Sequence, residues 1–336
     1  MQRLTVNLPP HSYDILLERG GLARLDNYVN LKRKVMLVTD SGVPEIYAQT
    51  VLAQCQEGYK YVAPAGEEAK SMATFESICG HMLEWDFTRT DCVVALGGGV
   101  VGDVAGFAAA CYMRGVDFIN LPTTSLAQID SGIGGKVAIN LNGVKNIIGA
   151  FYQPRLVMID SDVLQTLNTR HLHNGLVEAV KAGLIYDPCL FELFESDDFY
   201  RHLDEIIQRA LLVKKQVVEQ DEKEEHLRKI LNFGHTLGHG LESFFKLSQY
   251  LHGECVALGM LPMLEDQALK ERVLKVFKRL NLPLQVDYDR EAVYQLMNRD
   301  KKKQGDSITI VKVPALGEYR LDSVKTSQLR DYLTGD

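Results

Sequence analysis

CVVALGGGVVGDVAGFAAAC, residues 92–111, admits two readings. It is apolar over about the twenty residues that a bilayer core requires, yet it contains five glycines and Asp103. A helix interrupted at Gly97, Gly98 and Gly99 makes a poor membrane span, whereas a buried strand, a glycine turn and a helix account for every letter. Working outward from that unit, KVMLVTD (34–40), YKYVAP (59–64), DCVVALG (91–97), VDFINLP (116–122) and RLVMID (155–160) read as buried strands separated by turns and helical stretches. Several lack period-two alternation, as expected of strands covered on both faces. The implied class is α/β with a largely parallel sheet.

Beyond about residue 162 helical patterns take over, in HNGLVEAVKAGLI (173–185), DEIIQRALLVKKQVVEQ (204–220) and HLRKILNFGHTLGHGLESFF (226–245). Only SITIVKV (307–313) reads as a strand there. The sequence therefore predicts two domains, an α/β domain over 1–160 and a mostly helical one over 161–336. That division agrees with the length, since single cores rarely grow beyond roughly 250–300 residues. A formal net charge of −7 offers no basic excess for a nucleic acid or an anionic lipid surface. The six cysteines are scattered without a C-x-x-C pair, which reads as reduced thiols. The opening residues have no apolar run of signal-peptide length, so the cytoplasm is the expected compartment.

The turn after the third of these strands is the first candidate site. Gly97, Gly99 and Gly102 satisfy G-x-G-x-x-G, and the backbone N–H groups of the following helix can cradle a diphosphate. The acidic residue expected at the end of the next strand is missing, because Asp117 begins that strand. Tight strand-to-helix packing would explain the same glycines. Other βα junctions carry Asp40, Glu67 with Lys70, Asp103, and Thr123 with Thr124. Each alone reads as a cap or turn former, but all fall where open α/β sheets bind ligands.

The second candidate is the density of histidines at His235, His239 and His252. His235 and His239 are i and i+4 on one helical face, a spacing that brings two imidazoles to one cation or simply places two structural histidines. Glu178, in an otherwise apolar helical stretch, either meets a metal or makes a surface i, i+3 pair with Lys181. A third set offers positive charge and amides: Arg114, Lys136, Lys145 with Asn146, Lys214, Arg228, Asn232 and Lys301 to Lys303. Lys136 follows DSGIGG, a turn of short residues that lets backbone and ammonium approach an anion together, with Asp130 in the same turn.

Taken together, GGGVVGD (97–103), PTTSLAQIDSGIGGK (122–136), VKNIIGAFYQP (144–154), GLVEAVKAGLIYD (175–187), VVEQDEKEEHLRKILNFGHTLGH (217–239) and LHGE (251–254) resemble the 3-dehydroquinate synthase family. The likeness runs from about residue 34 to 303. It implies an NAD-binding α/β domain, a helical metal-binding domain and an active site in the cleft between them. It assigns Glu178, His235 and His252 as ligands of a divalent cation, zinc or cobalt, and gives His239 an acid/base role instead. NAD would be held by Asp40, Glu67, Lys70, the turn residues Gly98, Gly99, Val100, Val101, Gly102 and Asp103, and by Thr123, Thr124, Lys136, Lys145 and Thr166. The substrate's carboxylate and phosphate would meet Arg114, Asp130, Lys136, Asn146, Lys181, Lys214, Arg228, Asn232 and Lys302.

The reaction so implied is the shikimate-pathway conversion of 3-deoxy-D-arabino-heptulosonate 7-phosphate to 3-dehydroquinate and phosphate. Transient oxidation at C5 acidifies C6–H, phosphate is eliminated, the hydride returns, the ring opens and an aldol step closes the carbocycle. A homodimer acting on a small phosphorylated keto-acid sugar is the family expectation. Residues 243–251 and those after about 305 depart from the family pattern, and Val177 stands where a small alanine is usual. Competing readings are another sugar phosphate cyclase, a metal-dependent polyol dehydrogenase of the same fold, and a non-catalytic NAD-binding regulator.

Overall fold

The structure, a computed structural model, describes residues 1–246, 249–299 and 307–333. The chain divides into two compact units, Met1–Asn168 and Thr169–Asp336. In the first it runs β1 (Gln2–Val6), β2 (Tyr13–Leu17), β3 (Lys34–Asp40), α1 (Glu45–Leu52), β4 (Glu57–Ala63), α2 (Met72–Glu84), β5 (Cys92–Gly97), α3 (Gly99–Cys111), β6 (Asp117–Pro122), the hairpin β7 (Lys136–Leu141) and β8 (Val144–Phe151), and β9 (Leu156–Ile159). Seven strands form one sheet in the order β1-β2-β9-β6-β5-β3-β4. All neighbours are parallel except the edge pair β1 and β2.

The lack of alternation in the central strands has a simple cause. In β3, Val35 and Leu37 pack with Leu25, Ala48 and Val51, whereas Met36 and Val38 pack with Ile78, Val104 and Ala108. Successive side chains still point to opposite faces, but both faces are apolar. The stretch at 92–111 becomes the wholly buried β5, the turn at Gly98 and helix α3. The chain steps from β3 outward to β4 and returns past β3 to β5. The carboxyl ends of β3 and β5 therefore flank a topological switch point, where open α/β sheets bind ligands.

The second unit contains α4 (Thr169–Ile185), α5 (Pro188–Leu193), α6 (Leu203–Gln220), α7 (His235–Phe245), α8 (His252–Met260), α9 (Gln267–Arg279), α10 (Arg290–Arg299) and an antiparallel pair, β10 (Ser307–Lys312) and β11 (Arg320–Lys325). Helix α4 is buried continuously from Leu172 to Ile185. The helical pattern read over 226–245 is broken: Leu227–Asn232 is a 3-10 turn, and Gly234, at φ 79°, redirects the chain so that α7 begins at His235. Among the described residues no helix is long and apolar enough to cross a membrane.

Candidate functional site

Three helices of the second unit converge on Glu178. It sits mid-way along the buried helix α4, with its side chain 2% exposed, while His235 and His252 are the first residues of α7 and α8. Close backbone approach makes this possible. Gly253 donates its N–H to Asn174 Oδ1 at 2.6 Å, and a Cβ at Gly253 would lie 2.1 Å from the Asn174 carbonyl oxygen, so α8 reaches α4 because the residue after His252 has no side chain. A Cβ at Gly259 would lie 2.0 Å from the carbonyl oxygen of Gly234, which fixes α8 against the start of α7.

The Nε2 atoms of His235 and His252 stand 3.8 and 3.7 Å from Glu178 Oε1. These separations are too long for hydrogen bonds. Ligand atoms sharing one tetrahedral zinc at roughly 2.0–2.2 Å stand about 3.4 Å apart, close to what is seen. Glu178 Oε1, the oxygen that faces both imidazoles, is buried without a hydrogen bond, an arrangement that a cation among the three side chains would complete. The Lys181 ammonium packs against Oε2 as an ion pair and donates to the Leu231 carbonyl at 2.5 Å. The Glu178–Lys181 contact is therefore buried, not the surface pair that the sequence also allowed.

Charge in the cluster is uneven. Burial pushes the Glu178 carboxyl up, but Lys181 and His252 outweigh it and hold the group well below the usual range. Burial, reinforced by the Lys181 charge, pushes His235 well below its ordinary value, so that ring is neutral. Burial opposes protonation of His252 as well, yet its contacts with Glu178 and Glu242 raise it to about 9. A cation held by these three side chains would have to displace that proton.

His235 and His239, the pair favoured by spacing, have ring centroids 5.2 Å apart but, among the described residues, fall into different potential ligand groups. Glu178 with His235 and His252 is one such group; His239 with Glu242 and His252 is another. His239 is exposed on α7. Lys214 and Arg228 are buried, with Arg228 Nη1 donating to the Glu222 carbonyl at 2.6 Å. Asn232 Nδ2 donates to Glu224 at 2.7 Å. Lys301, Lys302 and Lys303 lie outside the described residues.

In the first unit the switch point carries Asp40 at the end of β3 and Gly98, Gly99 and Val100 after β5. Helix α3 starts without a side-chain cap, which leaves the N–H groups of Gly99, Val100 and Val101 open to a diphosphate, whereas the Gly102 N–H, also expected to meet the cofactor, already donates to the Gly98 carbonyl at 3.1 Å. The Thr123 N–H donates to the Gly97 carbonyl at 2.9 Å and Thr124 Oγ1 accepts from the Ala127 N–H at 3.2 Å, so both threonines shape the adjacent βα turn. Thr166 is bonded to the Tyr47 hydroxyl on α1 at 3.0 Å and donates to the Val163 carbonyl at 3.0 Å.

A polar network ties Lys70, 5% exposed, to Asp103 at 2.6 Å and to the amide oxygen of Asn146. Asn140, which sequence reasoning did not single out, completes it by donating to Glu67 at 2.8 Å and accepting from the Asn146 N–H at 2.8 Å. Arg114 and Asn146 both adopt the left-handed backbone, at φ 68° and 54°. Asparagine tolerates that region, whereas for Arg114 it is less common. Asp130 lies in a wide helical turn over Ala127–Ser131, and Lys136 and Lys145 are exposed on the hairpin.

Burial raises the Asp103 carboxyl to about 6, with the Lys70 charge opposing that shift. Below that pH the carboxyl gains its proton and the ion pair with Lys70 is lost. The protonated-carboxyl band of Asp103, read by infrared difference against an Asp103→Asn variant, is therefore expected to grow between pH 7.5 and 5.5; a band unchanged over that interval would contradict the shift.

A family model described as 3-dehydroquinate synthase N-terminal matches residues 60–174, and one described as 3-dehydroquinate synthase C-terminal matches residues 175–303. The chain belongs to the 3-dehydroquinate synthase family. A 3-dehydroquinate synthase of Clostridium acetobutylicum is 38% identical over 99% of each chain. Among solved structures, the 2-epi-5-epi-valiolone synthase of Streptomyces hygroscopicus subsp. jinggangensis, with NAD+ and Zn2+ bound, superposes at a TM-score of 0.87 with 27% identity over 97% of each chain. A 2-deoxy-scyllo-inosose synthase shares the fold at a TM-score of 0.89 and 23% identity over 98% of each chain.

Proposed function

We infer that this chain is an NAD- and metal-dependent lyase that converts 3-deoxy-D-arabino-heptulosonate 7-phosphate to 3-dehydroquinate and phosphate in the shikimate pathway. The observation that carries the reading is the buried Glu178 facing two imidazoles, in a chain whose whole length aligns with 3-dehydroquinate synthases. We propose that residues 1–160 bind NAD through the switch-point residues, and that residues 161–336 bind the cation through Glu178, His235 and His252. When bound, NAD supplies a reversible hydride acceptor and the cation a Lewis acid.

The chain's own groups then have separable tasks. Arg114, Lys136, Lys181, Lys214 and Arg228 offer fixed positive charge to a substrate bearing a carboxylate and a phosphate monoester, with Lys302 proposed alongside them. Asp130, Asn146 and Asn232 orient hydroxyls by hydrogen bonds. His239 exchanges a proton with a substrate hydroxyl oxygen, and its exposure leaves it reachable by substrate. The enzyme is proposed to act as a cytoplasmic homodimer; light scattering that returned the mass of one chain, 37.7 kDa, would contradict the dimer.

Supplied with the heptulosonate phosphate, zinc and NAD well below the substrate concentration, the protein should release phosphate until substrate is exhausted while the NADH absorbance stays at its starting level. Accumulating NADH without phosphate release would instead identify a polyol dehydrogenase.

A further inference from the structure

Glu242 belongs to no role assigned above, yet it touches one of the proposed ligands. It lies on α7, three residues after His239 and seven after His235, so all three share one face of the helix. Its side chain is 12% exposed, and Oε2 sits 2.9 Å from His252 Nδ1. An ionised carboxylate has no proton to give, so the hydrogen of this bond is on Nδ1. In the neutral ring, the form that binds a metal, the other nitrogen is then the one with a lone pair to offer a cation. That atom, Nε2, is the one that faces Glu178.

His235 is arranged in parallel. Its Nδ1 donates to the Phe233 carbonyl at 3.1 Å and its Nε2 also faces Glu178. The two rings differ in how firmly they are held. The His235 side chain is 13% exposed and bonded to backbone two residues away, whereas that of His252 is 26% exposed and packed less closely. We propose that Glu242 is the positioning residue of the metal centre: its carboxylate clamps His252 through Nδ1–H, presents Nε2 toward Glu178 and His235, and strengthens that nitrogen as a donor. Hydrogen-bonded partners of this kind tune metal affinity by about 10- to 100-fold. The inference rests on the metal-centre reading of Glu178, His235 and His252.

The test compares wild type, Glu242→Gln and Glu242→Ala. Zinc affinity is read by competition with a chromophoric chelator at fixed pH, and ligand geometry by the visible absorption of the cobalt-loaded proteins. Glutamine keeps an acceptor but loses the charge, and about 10-fold weaker binding is expected; alanine loses both, and about 100-fold weaker binding with a shifted cobalt spectrum is expected. The metal-free Gln variant should melt close to wild type. Wild-type affinity and an unchanged cobalt spectrum in both variants would overturn the proposal and leave Glu242 as a tether between α7 and α8. A second equivalent of zinc that is lost in Glu242→Gln, with the first bound as tightly as before, would also overturn it, by making Glu242 a ligand. Failure of wild type to bind zinc at all would overturn the metal-centre reading itself.

Discussion

Glu178→Gln is expected to lose retained zinc and to lower turnover by about three orders of magnitude, since withdrawal of a Lewis acid removes several kcal/mol of transition-state stabilisation. A second effect follows from burial. Lys181 is 3% exposed and paired with Glu178, and stranding a buried charge costs about 3–5 kcal/mol. Chemical denaturation should therefore show a markedly less stable second unit. His252→Ala separates the two effects, because it removes a proposed ligand and leaves the Glu178–Lys181 pair intact. It should lose zinc and activity while retaining most of the stability. Metal analysis, steady-state kinetics and denaturation of the two variants side by side check this.

Gly259→Ala is expected to destabilise the protein by about 3 kcal/mol or more, although alanine ordinarily favours a helix. The added Cβ would lie 2.0 Å from the Gly234 carbonyl oxygen, a backbone atom with no rotamer to yield. Gly234 precedes His235, so forcing α8 away from it also moves one proposed ligand relative to another, and zinc affinity should fall with stability. Gly80→Ala is the control. Gly80 is exposed within α2, and a Cβ there would meet nothing within 4 Å. It should stabilise by about 0.5–1 kcal/mol and leave zinc binding unchanged.

The parts of the fold legible in the letters are those whose burial is local and complete. Strands β3, β5, β6 and β9 are apolar runs because helices cover both sheet faces. Strands β1 and β2 form the edge pair, and β7 and β8 form a hairpin outside the main sheet. Seven of the eight residues of β8 are exposed, so no core pattern marks it, and the polar alternation of β11 hid that strand in the same way. The kink at Gly234 was invisible because the apolar period continues across it; only the left-handed backbone breaks the helix.

The site was half legible for the same physical reason. Glu178 in a helix reads by itself more readily as a surface pair with Lys181 than as a ligand, and the packing of α4 against α5, α6 and α8 buries that pair. His252 bears no periodic relation to His235; their rings meet at 5.3 Å because α8 folds back on α7. Local spacing favoured His239 as the partner, and the family resemblance redirected attention to His252. Glu242 is marked in the letters only by its place on the histidine face of α7. Asn140 had none, because its partners Glu67 and Asn146 are brought to it by the hairpin.

The most direct test of the central claim is to titrate metal-free protein with zinc while following phosphate release from the heptulosonate phosphate at saturating NAD. Activity should rise from near zero and saturate at one equivalent per chain. Full activity in the metal-free protein, or no activity at any zinc equivalence in folded, NAD-binding protein, would contradict the account.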